Sequence, residues 1–258
     1  MALIQAQFRS EVLACSLPLW AFVPDQPATP MPVLYLLHGY TDDASGWTRY
    51  TSVCRYARDR GLALVMPEAQ NGWYTTASNG PDCAKYILED VVGFAERVLP
   101  VRSDRAGRAI GGLSMGGYGA LRLGLARPDM FSSIHSHSGA LLIGSHPTTP
   151  QEHDPDAGLR FRVFGDDPTG TDHDLKVWAK RLAGLPEGDR PAIRLDCGRD
   201  DFLFEHTQGY SALLKDLGIA HENHVEDGDH EWGYWDRHVQ PALDFHVRHL
   251  DMPAAADG

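Results

Sequence analysis

The chain has 258 residues, 43% hydrophobic and 22% charged, and a formal net charge of −12. That size favours one large core over two small ones, and no stretch approaches the run of about 18 apolar residues that a membrane span needs. The acidity opposes nucleic acids and anionic membranes, whose phosphates require clustered Lys and Arg.

The opening, MALIQAQFRSEVLACSLPLWAF, lacks a basic head followed by an apolar run, because Arg9 and Glu11 interrupt it. It therefore reads as no signal peptide, and a cytoplasmic location is expected. LIQAQF and SLPLWAFV read as an antiparallel pair of strands. VLYLLHG and LALVMPE are short apolar runs bounded by turn residues, the pattern of buried parallel strands. Across 81–99, Ile87, Val91, Phe94, Ala95 and Val98 recur at helical spacing, with Pro81 suited to the first turn and Pro100 ending the helix. RAIGGLS then reads as a strand running into a helix over 115–126. FSSIHSHSG reads as a sixth buried strand.

A long insertion at 140–190 follows, with one helix expected over 174–182 on Leu175, Trp178 and Leu182. Its acidic stretch FGDDPTGTDHD lacks the alternating ligands, turn glycine and final Glu of a calcium loop, and reads as a solvated loop. AIRLDCG is a seventh strand, and HENHVED a weaker, half-polar eighth. Between them, Tyr210, Leu213, Leu214 and Leu217 form one helical stripe that Gly218 can end. Trp235, Val239, Leu243 and Val247 mark a last helix. The alternation predicts a single α/β domain over 1–250: a mostly parallel, eight-stranded sheet with helices on both faces and a disordered tail over 251–258. Cys15, Cys54, Cys83 and Cys197 form no CxxC pair and read as free, mostly buried thiols in a reducing compartment.

Ser114 sits between strand and helix inside Gly112-Leu113-Ser114-Met115-Gly116, the G-x-S-x-G pattern of a nucleophile elbow. So tight a turn leaves no room for side chains two residues either side. It lifts the hydroxyl above the sheet's carboxyl edge, where the Met115 N–H can face an oxyanion. A serine needs a base, and the base an orienting acid; hydrolases of this architecture supply them in the chain order Ser, acid, His, each from the end of a later strand. CGRDDFLFE supplies adjacent acids, Asp200 and Asp201, which point opposite ways, so one alone can reach the base. His230 is chosen among 13 histidines because it follows the turn Asp227-Gly228-Asp229, whereas His221 and His224 read as inside the strand. A second oxyanion donor is expected after the third strand, where His38-Gly39 lets the backbone N–H of Tyr40 face Ser114.

Taken in order, LLHGY, SGWTRY, MPEAQNGWY, GGLSMGGYGALRLGLARPDMFSS, SGAL, CGRDDFL and GDHEWGYW resemble the esterase D-like branch of the α/β-hydrolases. The likeness runs over about 5–247 and is greatest to bacterial tributyrin (short-chain acyl) esterases. S-formylglutathione hydrolases, feruloyl and acetyl-xylan esterases and mycolyltransferases are related. The resemblance implies the α/β-hydrolase fold, Ser114 as nucleophile, His230 as base and Tyr40 and Met115 as oxyanion donors. Its G-x-x-D-F-L motif puts the acid on Asp201. It further implies that the insertion caps the site. Trp47, Tyr74 and Trp178 are candidates for the lining of an acyl pocket, with a place in the core as the equal alternative. The expected reaction is hydrolysis of short-chain acyl esters. A thioesterase of the S-formylglutathione kind and a feruloyl or acetyl esterase acting on carbohydrate-linked esters are the alternatives. HGYTD and SMGGYGA depart from the HGLTC and SMGGHGA of the glutathione enzymes. No cofactor or metal is expected, and the partner is a small-molecule ester, with a homo-oligomer left open.

Overall fold

The computed structural model describes residues 1–25, 30–148 and 157–252. Its strands are β1 (Ala2–Ser10), β2 (Cys15–Val23), β3 (Val33–Leu37), β4 (Ala63–Pro67), β5 (Arg108–Leu113), β6 (Ser133–His137), β7 (Ala192–Gly198) and β8 (Glu222–Glu226). They form one sheet in the order β1-β2-β4-β3-β5-β6-β7-β8. β1 pairs antiparallel with β2, and β2 antiparallel with β4. From β4 to β8 every pairing is parallel.

The central strands are apolar on both sides because helices cover both sides. Along β3, Val33, Tyr35 and Leu37 enter one core, and Leu34 and Leu36 enter the other, as a strand's two-residue period requires. The second core is closed by α1 (Gly46–Tyr50), α2 (Val53–Arg58) and the last helix, Trp232–His249. The stretch expected as one helix over 81–99 is α3 (Cys83–Lys85), a π turn (Tyr86–Val91) and α4 (Val92–Val98). Asp82, not Pro81, opens it: its carboxylate accepts the Lys85 N–H at 2.9 Å. With α4, the first core is covered by α5 (Met115–Ala126), α6 (Ala157–Phe164), α7 (Leu175–Ala183) and α8 (Phe204–Asp216). The last helix is α9. Gly218 follows α8 at φ +65°, the left-handed stop its position calls for.

Two expectations need correction. The sequence signalled one helix in the insertion, α7, but α6 (Ala157–Phe164) precedes it. The acidic stretch at 164–174 is only partly solvated. Asp174 is buried and caps α7, accepting the Lys176 N–H at 3.1 Å and the Ser145 hydroxyl at 2.6 Å. β6 is also less apolar than its burial demands. Ser133 and His135 bond His246 on α9, and His137 bonds Asp196 on the neighbouring strand β7. Pairing replaces apolarity as the condition for burial on that face. The tail beyond Met252 lies outside the described residues. Among those residues, no helix is long and apolar enough to cross a membrane.

Candidate active site

Ser114 joins β5 to α5 with φ +54° and ψ −114°, a backbone that L-residues adopt only under constraint. The constraint is crowding. A Cβ on Gly112 would lie 2.7 Å from the Gly116 carbonyl carbon and the Leu37 carbonyl oxygen, and one on Gly116 would lie 2.5 Å from that same oxygen. The turn closes only with glycine on both sides. The Ser114 N–H is held by the His137 carbonyl at 2.9 Å, so β6 pins the elbow.

His230 stands 116 residues away in sequence, yet its Nε2 lies 3.1 Å from Ser114 Oγ. Its Nδ1 lies 2.9 and 3.0 Å from the two Asp201 oxygens. The loops carrying the acid and the histidine meet where Gly198 crosses Gly228. A Cβ on Gly198 would sit 2.2 Å from the Gly228 carbonyl oxygen. Asp201 is buried, while its neighbour Asp200 is exposed. Burial alone would raise the Asp201 carboxyl, but bonds from His230, Ser138 and the Leu203 N–H hold it below its usual range. It is therefore an ionised acceptor throughout the neutral range. His221 bonds Ser211 and His224 bonds Glu222, both away from Ser114.

Tyr40 follows β3 and lines a cleft of about 480 Å³ that holds Ser114 and His230. Its loop is braced from behind. His38 bonds the Gly39 carbonyl through Nδ1 at 2.8 Å, and its Nε2 faces the Ala69 N–H at 3.2 Å. The Tyr74 hydroxyl donates to the His38 carbonyl at 3.0 Å. Asn71 accepts the Thr41 N–H at 2.8 Å. Met115 is the first residue of α5, where N–H groups have no partner within the helix and the dipole favours an anion. Ser114, Thr41, Gln70, Trp73, Tyr74 and Ser138 are six of the seven described non-glycine residues at positive φ. All six follow strands at the carboxyl edge, so strain gathers around this cleft.

A family model, Esterase, matches residues 10–246. The chain belongs to that family. An acetyl esterase of Caldicellulosiruptor saccharolyticus is 30% identical over an alignment of 261 positions, gaps included, that covers 95% of this chain and 98% of that one. A fluorophosphonate-binding serine hydrolase of Staphylococcus aureus shares the structure with a TM-score of 0.86 at 25% identity, covering 95% of this chain and 98% of its own. An S-formylglutathione hydrolase of the same organism gives 0.85 at 25% identity, with the same coverage. The fold is that of the α/β-hydrolases, and the enzyme is a serine hydrolase of carboxylic esters.

The esterase's cleft is walled by residues other than the three aromatic candidates. Trp47 is fully buried, donates its indole N–H to the Leu37 carbonyl at 3.1 Å and meets Trp232 edge to face at 5.5 Å. Tyr74 is fully buried under the loop that carries Tyr40. Trp178 donates to the Asp172 carbonyl and lies between the guanidinium groups of Arg122 and Arg181, 4.3 and 4.4 Å from its ring centre. Each ring found a carbonyl for its polar end and packed inward or sideways, so none lines the cleft. Tyr50, Trp232 and Trp235 do. Trp235 stands perpendicular to the His230 ring at 5.0 Å. The signal for two of them was present: Trp232 and Trp235 follow His230 within five residues, and α9 begins at Trp232.

Proposed function

We propose that the enzyme hydrolyses esters of short acyl groups through an acyl-enzyme on Ser114. The observation that carries this reading is the line from Ser114 Oγ to His230 Nε2 to the Asp201 carboxylate, at 3.1 and 2.9 Å. In it, His230 keeps a proton on Nδ1 toward Asp201 and presents a lone pair to the serine. As Oγ attacks the ester carbonyl, its proton passes to Nε2, and the Asp201 carboxylate stabilises the imidazolium. The oxyanion faces the backbone N–H groups of Met115 and Tyr40. Each such donor is worth roughly 3 kcal/mol of barrier. Collapse breaks the bond to the alcohol, which leaves with the His230 proton. Water, deprotonated by His230, then cleaves the acyl-enzyme in the same way.

The kinship to an acetyl esterase supports a small acyl group. The insertion at 140–190 belongs in this reading to the same domain and caps one side of the site. A cytoplasmic setting fits the four free thiols. The second reading, a thioesterase acting on S-formylglutathione, is favoured by the S-formylglutathione hydrolase neighbour and would use the same residues. Charge speaks against it. Among the described residues, the lining of the cleft carries Asp42, which Arg49 pairs at 3.4 Å, and Glu231, which no Lys or Arg pairs, and it includes no Lys or Arg itself, an unfavourable lining for the two carboxylates of glutathione. A panel of p-nitrophenyl esters from acetate to decanoate, run beside S-formylglutathione and methyl ferulate, tests the reading. Expected is a kcat/KM maximum between acetate and butyrate, about tenfold lower by octanoate. A preference for long chains, S-formylglutathione or methyl ferulate would overturn it.

A further inference from the structure

Ser138, the first residue after β6, takes no part in the reaction described above. It is fully buried, with φ +47°. Its N–H donates to the Asp196 carbonyl at 2.8 Å. Its hydroxyl oxygen accepts the Trp235 Nε1–H at 3.2 Å. A hydroxyl has one proton and two lone pairs, so with a lone pair given to the indole its proton remains to be placed. The acceptors beside it are the Asp201 carboxylate and the Cys197 sulfur. Burial pushes the Cys197 thiol up to about 12, so it stays a neutral, weak acceptor. The carboxylate is the stronger one by far. Asp201 also has room for the bond. Its Oδ1 takes the Leu203 N–H at 2.8 Å, and His230 Nδ1 spans both oxygens. A carboxylate offers about four lone-pair sites, so one remains for a further donor.

We propose that Ser138 and Trp235 are a positioning pair for the acid of the triad. The indole N–H orients the Ser138 hydroxyl as a donor, and the hydroxyl holds the Asp201 carboxylate with both oxygens toward His230. This rests on the triad reading above. It explains why a serine is kept at a backbone angle that would suit glycine, since glycine has no hydroxyl to give. It also gives Trp235 two tasks. The ring that walls the cleft beside His230 is, through its nitrogen, two hydrogen bonds from the acid.

The test compares Ser138→Ala, Ser138→Gly, Trp235→Phe and the double variant Ser138→Ala/Trp235→Phe on p-nitrophenyl acetate, with Ser114→Ala alongside. Glycine tolerates positive φ and lacks the hydroxyl, so the Ala and Gly variants separate the lost bond from backbone strain. Both should lose about 10- to 100-fold in kcat with KM changed less than about threefold, the scale of one hydrogen bond to a charged group felt in the transition state. Trp235→Phe keeps a ring in the wall and should lose about 3- to 10-fold. The double variant should be no slower than Ser138→Ala, because the indole acts through the hydroxyl. The downfield Nδ1–H proton resonance of His230 should move in both Ser138 variants. Ser138→Gly with kcat within about twofold of the parent and an unmoved resonance overturns the proposal. Additive losses in the double variant overturn the Trp235 link. If Ser114→Ala retains turnover, the triad reading falls, and this proposal with it. A dead Ser114→Ala beside a fully active Ser138→Gly sinks this proposal alone. Should Ser138→Ala fail to fold, Ser138→Gly and Trp235→Phe decide the matter.

Discussion

Removing the side chain of Ser114 should make the protein more stable than merely removing its hydroxyl. Ser114→Ala and Ser114→Gly both delete the Oγ bonded to His230, so that loss cancels between them. They differ in Cβ. At φ +54° and ψ −114° a Cβ is strained, at about 1–3 kcal/mol for a residue held in so sparse a region. Alanine keeps that strain and glycine releases it. Against this stands the extra freedom that glycine confers on the unfolded chain, about 0.5–1 kcal/mol. Taking mid-values, Ser114→Gly should exceed Ser114→Ala by about 1.2 kcal/mol. In a chain of this size that is roughly 2–5 °C in Tm. The assay is urea unfolding of the two inactive variants at one pH, with the m-values compared to confirm the same exposure on unfolding. In relaxed backbone the order is the reverse, alanine above glycine. Ser114→Gly equal to or below Ser114→Ala would therefore mean that the elbow is not strained, and that the crowding by Gly112, Gly116 and Leu37 does not hold it there.

Asp201→Asn should lose about 10³- to 10⁴-fold in kcat, because the amide cannot stabilise the imidazolium, whereas exposed Asp200→Asn should lose little; steady-state kinetics of both decide it, and an inactive Asp200 variant would place the acid one residue earlier. A Cβ on Gly39 would meet Leu113 Cδ1 at 2.6 Å, so Gly39→Val should displace the Tyr40 N–H and lower kcat by about 10- to 100-fold with little change in KM; an unchanged kcat would argue against that donor. Burial holds His135 and His246 far below the usual histidine value, with repulsion from His137 and Arg194 adding to it. The unfolded chain takes up protons there near pH 6.5 while the fold does not, so stability must fall as pH drops below 6.5, by about 1.4 kcal/mol per pH unit for each of the two. His173, His206, His238 and His249 are displaced the same way and steepen the slope. Urea midpoints at pH 7.5, 6.5 and 5.5 measure it, and a flat profile would show these histidines charged inside the fold.

The tight glycine-flanked turn at Ser114 and the alternation of strand and helix were legible in the sequence, because each is a local requirement; the order of serine, acid and histidine comes from hydrolases of this architecture. Gly112 and Gly116 answer to the turn between them, and the apolar runs of β3 and β4 answer to burial on both faces. β6 was recognised as a strand, though not for its real reason. SIHSH has one apolar residue, and its burial depends on His246 and Asp196, which lie 111 and 59 residues away along the chain from the histidines they bond. The choice between Asp200 and Asp201 rested on family resemblance, since two adjacent acids are equivalent until a loop is folded. Only the meeting of Gly198 with Gly228 buries one beside His230 and leaves the other in water. The walls of the cleft belong to the tertiary structure for the same reason. Trp47, Tyr74 and Trp178 are aromatic residues of the kind that line sites, and each turned instead to a backbone carbonyl within reach. Which surface an aromatic ring faces depends on the partners that packing brings to it, and those partners come from strands and helices far away in sequence.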